Sequence, residues 1–328
     1  MKILVTGGAG LIGHNVCRKL LEKDHIVVCI DNLSDNYGQD LKQSNINSLK
    51  TSFQDSFIFY NADITDIDEI KKIFSLENIE KIIHLAAMAG VRPSIEKPIL
   101  YTNVNIIGLQ NLLEIARKYN IKKFVSASSS SVYGDREETP FKESDNTDYP
   151  ISPYAATKKA GEVLCYTYHN LFDINMVCLR FFTVYGPGGR PDMAIFKFTR
   201  LIDEQRPITV FGDGSSKRDY TFVNDVTDGI ISALDADLKF EIINLGDNNP
   251  VQLNYLIALI EKNIGKKAII NRMAMNPGDV TITCADISKA KKLLNYSPKI
   301  NIDDGIRIFV EWYKNYTTSK NNDKPFQN

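Results

Sequence analysis

A tyrosine and a lysine four residues apart, Tyr154-Ala155-Ala156-Thr157-Lys158, follow a run of hydroxyls, Ser126-Ala127-Ser128-Ser129-Ser130-Ser131. Tyr154 lies twenty-five residues beyond Ser129. On a helix the Tyr154 and Lys158 side chains share one face. A free tyrosine titrates at about 10, too high for a base at neutral pH. A neighbouring ammonium and a cationic nicotinamide ring would favour the phenolate. Tyr154 would then take a proton from a substrate hydroxyl as the carbon that bears it gives up hydride. Taken alone, the pair is better read as an exposed helical pair, and the serines can be read as a polar turn.

The start of the chain changes that reading. Ile3 to Val5 is a short apolar run with the character of a buried strand, followed by glycines at 7, 10 and 13 and a helical stretch to Leu21. Gly7 allows a tight turn, Gly10 the approach of a pyrophosphate, and Gly13 close packing of helix on strand. The helix start offers its unpaired N–H groups to phosphate. A second strand, His25 to Ile30, ends at Asp31, eighteen residues after Gly13. An acid there hydrogen-bonds the adenosine ribose and repels a 2′-phosphate, so the expected cofactor is NAD rather than NADP.

These residues need a sheet that brings its strand ends together. Phe57–Tyr60 reads as a third strand ending near Asp63, a candidate partner for the adenine amine. Lys81–Leu85, Lys123–Ala127, Asn175–Arg180 and Phe240–Leu245 read as four more. Helices are expected over Tyr101–Lys118 and Tyr154–Phe172, and a polar loop and helix over Leu33–Ser52. The alternation predicts an α/β protein with a Rossmann-like, doubly wound parallel sheet of about seven strands. Ligands then gather at the carboxyl ends of the strands. Residues 1–184 with 223–246 form the expected cofactor domain. Residues 185–222 with 247–316 form a smaller α/β substrate lobe, some of whose C-terminal helix packs on the first domain, and 318–328 a frayed tail.

Composition narrows the function class. Of 328 residues 43% are hydrophobic, and 39 basic against 40 acidic residues leave a net charge of −1. No basic field draws the chain to nucleic acid, and no apolar run has the length of a membrane span or a secretory core. Five cysteines, at 17, 29, 165, 178 and 284, never form a CxxC pair, and four scattered histidines show no metal-ligand spacing. Buried free thiols in a reduced, cytoplasmic, metal-free enzyme are expected.

In its glycine turn, serine run and Tyr-Lys pair, the sequence resembles the extended short-chain dehydrogenase/reductase superfamily, and the likeness covers nearly its whole length. Within it, Ala87-Met88-Ala89-Gly90-Val91-Arg92-Pro93-Ser94, Arg180-Phe181-Phe182-Thr183-Val184-Tyr185-Gly186-Pro187 and Gly189-Arg190-Pro191-Asp192-Met193-Ala194 are similar to the UDP-glucuronate 4-epimerases. Pro277-Gly278-Asp279-Val280, Ala285-Asp286-Ile287-Ser288-Lys289-Ala290 and the segment Gly305–Tyr313 continue the likeness.

The resemblance implies that Ser129 hydrogen-bonds the sugar O4, Tyr154 is the acid/base and Lys158 holds the nicotinamide ribose. It implies NAD contacts at Gly7, Gly10, Leu11, Ile12, Gly13, Asp31, Asn32, Asp63, Ile64, Leu85, Ala86, Ala87, Asn103 and Ser128, beside Tyr154 and Lys158. Arg218 matches a diphosphate-binding arginine and Asp279 a ribose-binding acid. Arg190 and Arg92 stand as substrate cations or surface charges. Many relatives carry an arginine shortly before the Gly-Asp pair; here Met275-Asn276 stand there, with Arg272 a substitute.

Sugar-nucleotide dehydratases place an Asp-Glu pair after the hydroxyl residue, and decarboxylases a glutamate two places on. This chain has Ser130 and Ser131, which favours epimerisation over the lyase reactions. A uronic acid oxidised at C4 is a β-keto acid prone to lose CO2, so its carboxylate needs fixed donors. Ser130 and Thr183 are the candidates; hexose epimerases commonly have asparagine at the Thr183 position. The expected reaction is interconversion of UDP-glucuronate and UDP-galacturonate. The alternatives are a UDP-hexose or N-acetylhexosamine epimerase, a lyase, or a catalytically silent NAD-binding sensor. Wide apolar arcs on the Tyr101–Lys118 and Tyr154–Phe172 helices, including Ile106, Leu109, Leu112, Leu113, Val163 and Leu164, predict a homodimer.

Overall fold

The computed structural model describes residues 1–35, 38–274 and 280–322. Six strands come first: β1 (Lys2–Thr6), β2 (Ile26–Ile30), β3 (Phe57–Tyr60), β4 (Lys81–His84), β5 (Lys123–Ser129) and β6 (Asn175–Phe181). Three short ones, β7 (Thr183–Tyr185), β8 (Ile208–Phe211) and β9 (Lys217–Phe222), precede β10 (Phe240–Leu245), and β11 (Pro250–Gln252) and β12 (Ile270–Met273) follow. The central sheet has seven strands, all parallel, in the order β10-β6-β5-β4-β1-β2-β3. This is the doubly wound architecture expected from the alternation of elements.

Why these strands are apolar runs is visible in their two faces. Ile3 and Val5 of β1, Val27 and Cys29 of β2, and Val177 and Leu179 of β6 point into one core. Leu4, Val28, Ile30, Met176 and Cys178, the alternate residues, point into the other. Helices α1 (Leu11–Leu21) and α2 (Gln39–Phe53) contribute to the first core. The second takes α3 (Ile67–Leu76). Strands covered on both sides lose the polar alternation of a half-exposed sheet.

Two short helices, α4 (Val91–Glu96) and α5 (Pro98–Thr102), follow β4. The expected helix over Tyr101–Lys118 is interrupted: α5 passes through a π-helical turn, Asn103–Ile107, into α6 (Gly108–Lys118). Leu109, Leu112 and Leu113, expected at an outer interface, are instead buried in the second core. The long helix α7 (Pro153–Phe172) lies beside α6 and over β5 and β6.

A third core gathers α8 (Ala194–Asp203), β8, β9, α10 (Leu253–Ile264) and α12 (Ile302–Asn322), while α9 (Val223–Asp235) and α11 (Ser288–Leu294) supply residues to the first. The first part of the expected frayed tail, from Thr318 to Asn322, is helical, and 323–328 lie outside the described residues. Thr317 and Thr318 donate their hydroxyls to Tyr313 O at 3.0 Å and Lys314 O at 2.8 Å, and α12 runs to Asn322. Among the described residues, no helix is long and apolar enough to cross a membrane.

The glycine turn between β1 and α1 is a steric necessity. Gly7 has φ +75°, and a Cβ there would lie 2.6 Å from Ala86 N. A Cβ on Gly13 would overlap the carbonyl oxygen of Gly7. Gly13→Ala is therefore expected to cost about 1–3 kcal/mol through overpacking. A melting temperature equal to that of the unmodified protein would show that the turn yields without loss.

Candidate functional site

A cavity of about 490 Å³ opens along the carboxyl ends of β1, β2, β4 and β5. One end is the glycine turn. Gly10 caps α1 without a side chain, so the first N–H groups of that helix face the cavity unscreened. Asp31, at the end of β2, accepts from Ala9 N at 3.0 Å and Leu33 N at 2.9 Å, which ties the turn to the next strand. Asn32 donates to Asp63 at 2.8 Å, and Asp63 also accepts from the backbone and hydroxyl of Thr65. Burial pushes the Asp63 carboxyl up, but these donors outweigh it and hold it below its usual value. The bare helix start and the backbone approach of Gly7 to Ala86 fit a dinucleotide pyrophosphate, and Asp31 fits its ribose.

The other end carries the chemistry. Ser152 caps α7 by accepting from Ala155 N at 3.2 Å, and Pro153 starts its first turn. That fixes Tyr154 in the first turn and Lys158 one turn on. Ser129 ends β5 and its hydroxyl oxygen accepts from Ser131 N at 3.2 Å and Ser131 Oγ at 3.0 Å. Burial pushes the Tyr154 phenol above its usual value, and the two groups that draw it back are a hydrogen bond with Ser129 and the charge of Arg190. The Lys158 ammonium, expected to do this, is turned onto Ala127 O at 2.9 Å. Burial lowers Lys158 to about 8, against the opposing pull of Cys165, Cys178 and Glu162. The ring of Tyr101 meets Tyr154 edge-on at 6.1 Å. A hydroxyl held between Ser129 and Tyr154 would sit where it can lose and regain a proton.

The cavity collects Gly7, Gly10, Leu11, Ile12, Gly13, Asp31, Asn32, Asp63, Ile64, Leu85, Ala86, Ala87, Ser128, Ser129, Tyr154, Lys158 and Arg190. Arg190 is half-buried, bonded to Asp192 and reaching Ala89 O at 3.3 Å. Ser130 and Thr183 do not line the cavity but directly follow Ser129 and Phe182, which do. Arg218 lies on β9 and donates to Lys217 O at 2.9 Å; Arg92 lies over the Phe211 ring at 4.8 Å; Arg272 donates to Gly212 O at 3.4 Å. None of these three lines the cavity. Asp279 lies outside the described residues.

Asn103 does not line the cavity. It is exposed in the π-helical turn, whereas Asn105 is buried and bonds Met88 N, Met88 O and Thr157 Oγ1. Residues two apart on a helix point nearly opposite ways, so only one of the two can face inward. Lys42 was missed outright: buried on α2, it lines the cavity near Asp31 and donates to Ser34 O at 2.7 Å. A lysine in a polar helix carries no sequence sign of burial. Asn105 did carry one, a lone amide among apolar helix residues. Among the described residues no cluster of His, Cys, Asp and Glu is arranged to hold a metal.

The profile of the GDP-mannose 4,6 dehydratase family matches residues 4–309. The chain belongs to that family, within the extended short-chain dehydrogenases/reductases. It is 48% identical over 312 residues to a UDP-glucuronate 4-epimerase of Thermodesulfobacterium geofontis, covering 95% of each chain. It is 39% identical to the Bacillus cereus UDP-glucuronic acid 4-epimerase solved with UDP-glucuronic acid and NAD, with a TM-score of 0.88 over 96% of this chain and 100% of that one. The Thermotoga maritima UDP-glucose 4-epimerase solved with UDP-glucose is 32% identical, with a TM-score of 0.89 over 97% and 100%.

In this family member the Ser129 hydroxyl opposes the upward push on Tyr154. Ser129→Ala removes that opposition, so any reaction needing the phenolate should begin only at higher pH. Turnover should fall by roughly 10²-fold, as for loss of a positioned proton-transfer partner. An acid limb of the pH–rate profile that stays in place would mean the hydrogen bond does not tune Tyr154.

Proposed function

We propose that this protein is an NAD-dependent UDP-glucuronate 4-epimerase, an isomerase that inverts C4 to give UDP-galacturonate. The observation that carries the reading is the gathering of Ser129, Tyr154 and Lys158 at one end of a single cavity, with no carboxylate lining that end. Among the described residues the carboxylates lining the cavity are Asp31, Asp35 and Asp63, in the loops after β2 and β3. Elimination of water needs an acid and a base at the sugar; inversion at C4 needs one group that takes a proton and returns it. The 48% identity to a UDP-glucuronate 4-epimerase supports the same substrate.

Bound NAD would supply the acceptor that takes hydride from C4 and gives it back. The glycine turn would hold its pyrophosphate, Asp31 and Asn32 its adenosine ribose, Asp63 and Ile64 the adenine. Leu85, Ala86, Ala87, Ser128 and Lys158 would hold the nicotinamide half, and Lys42 adds a cation near Asp31. Ser129 holds O4, and Tyr154 removes and restores its proton. Ser130 and Thr183 orient the carboxylate of the 4-keto sugar so that CO2 is retained, with Arg190 a cation lining the same cavity. Arg218 would bind the diphosphate and Asp279 the ribose of the substrate nucleotide, and Arg92 stands as a substrate cation or a surface charge. All five cysteines are buried and free, which suits the reducing cytoplasm.

Incubation with UDP-glucuronate, followed by NMR without added NAD, should show a C4-inverted uronate. A pentose with CO2 would make the protein a lyase, and turnover of UDP-glucose alone would make it a hexose epimerase. Tyr154→Phe should slow the reaction roughly 10²–10⁴-fold while retaining nucleotide. Thr183→Val should cost only roughly 1–3 kcal/mol but release a larger share of pentose. Normal speed and uronate alone from Thr183→Val would place the carboxylate elsewhere.

A homodimer completes the reading. Ile95 of α4, Ile99 of α5, Ile107 of the π-helical turn and Val163 of α7 are exposed on adjoining elements. Apolar side chains so grouped mark an interface. Light scattering at micromolar protein should give twice the chain mass; a monomer contradicts the pairing.

A further inference from the structure

One turn beyond Lys158 the protein buries a complete ion pair that touches none of the reacting atoms. The side chains of Glu162 on α7 and Arg180 on β6 are each 2% exposed. Arg180 donates from Nε to Glu162 Oε1 at 2.8 Å and from Nη2 to Oε2 at 2.9 Å, the planar fork that makes such pairs directional. The Ser128 hydroxyl donates to the same Oε1 at 2.6 Å. The guanidinium lies 4.8 Å from the ring centre of Tyr133, whose hydroxyl donates to Asn244 at 2.7 Å.

Stability alone does not explain this arrangement. Well-packed apolar side chains of similar volume commonly serve a core as well as a buried ion pair. What the pair holds is more telling. Ser128 immediately precedes Ser129, and Lys158 is four residues before Glu162 on the same helix. The groups facing Lys158 are His84 from β4, Cys178 from β6, and Cys165 and Glu162 from its own helix, with Arg180 behind Glu162. Glu162 is the only carboxylate among them.

We propose that Glu162, locked by Arg180, is a positioning residue for the Ser129–Tyr154–Lys158 centre. It fixes the end of β5 through Ser128 and sets a negative charge against the Lys158 ammonium. The proposal rests on the epimerase reading for its turnover measurement only. Burial lowers Lys158 and Glu162 opposes that, so losing Glu162 should carry Lys158 further down.

Glu162→Gln alone strands the Arg180 charge and endangers folding. The deciding variant is the double replacement Glu162→Leu with Arg180→Met, compared with Ser128→Ala. The double variant should melt near the unmodified protein yet turn over UDP-glucuronate about 10²-fold more slowly, with KM little changed, as expected for a small misplacement. Its alkaline limb should also move to lower pH. A double variant with normal melting, normal kcat and an unmoved limb overturns the proposal and leaves a plain structural ion pair.

Should the double variant not fold, Ser128→Ala decides, because it keeps both charges and removes a hydroxyl that is bonded to Glu162, leaving the Ser128 backbone to the nucleotide. A loss of roughly tenfold in kcat, the scale of one hydrogen bond, supports the proposal, and an unchanged kcat overturns it. Titration of the Lys158 side-chain NMR signal in the nucleotide-bound protein between about pH 7 and 9, spanning the lowered lysine, reads the same alkaline limb without any sugar. If the unmodified protein leaves UDP-glucuronate untouched while this limb still moves in the double variant, the epimerase reading falls and the positioning role stands.

Discussion

The Lys158 ammonium is bonded to the carbonyl of Ala127 at 2.9 Å, and that bond sets the spacing between α7 and the end of β5. Ser129 lies two residues beyond the acceptor and Tyr154 one helical turn before the donor. A small change in the spacing would therefore pull the hydroxyl pair apart. The bond requires a buried charge, and the protein bears its cost openly: burial lowers Lys158 to about 8. The lysine remains charged at neutral pH, and the cost is fully present below that value. It fades as pH rises from there toward the ordinary lysine range, because the folded state then no longer holds a proton that burial disfavours.

Two further constraints converge on the same edge. Parallel strands all finish on one side of the sheet, so the turn after β1, the acid after β2 and the serines of β5 share a single cavity. The segment after β7 closes over that edge. Arg190 reaches Ala89 O and lowers the Tyr154 phenol against burial. Tyr154 thus takes its electrostatics from both sides of the cavity.

Much of the architecture was legible because buried parallel strands must be apolar on both faces. Phe57–Tyr60 and Phe240–Leu245 match the observed strands end to end, and the β4, β5 and β6 boundaries move by one or two residues at their carboxyl ends. The glycine turn was legible because sterics admit nothing else at Gly7 and Gly13. What failed was whatever depends on angle rather than spacing. Both asparagines lie in the π-helical turn, and spacing alone does not say that Asn105 is the buried one and Asn103 the exposed one. Leu109, Leu112 and Leu113 belong to a wide apolar arc, but the sheet itself consumes it. The burial of Lys42 and the bond from Lys158 to Ala127 O depend on contacts between distant elements, which no local pattern encodes.

The chemistry also explains why the polar groups behind Lys158 form a closed set. A dehydrogenase that makes a free ketone releases a proton in each cycle and needs a route to water. A C4 epimerase takes a proton from O4 and restores it to the same oxygen, so none has to leave. His84 fits that requirement: burial and the nearby Lys158 charge lower it to about 3, so it stays neutral while bonded to Thr6 at 2.8 Å. Glu162 is fully engaged by Arg180 and Ser128. Groups whose charges are fixed make poor proton carriers and good supports. The interior behind the site is built for constant charge and fixed geometry, which is what a reaction that reverses itself within one site demands.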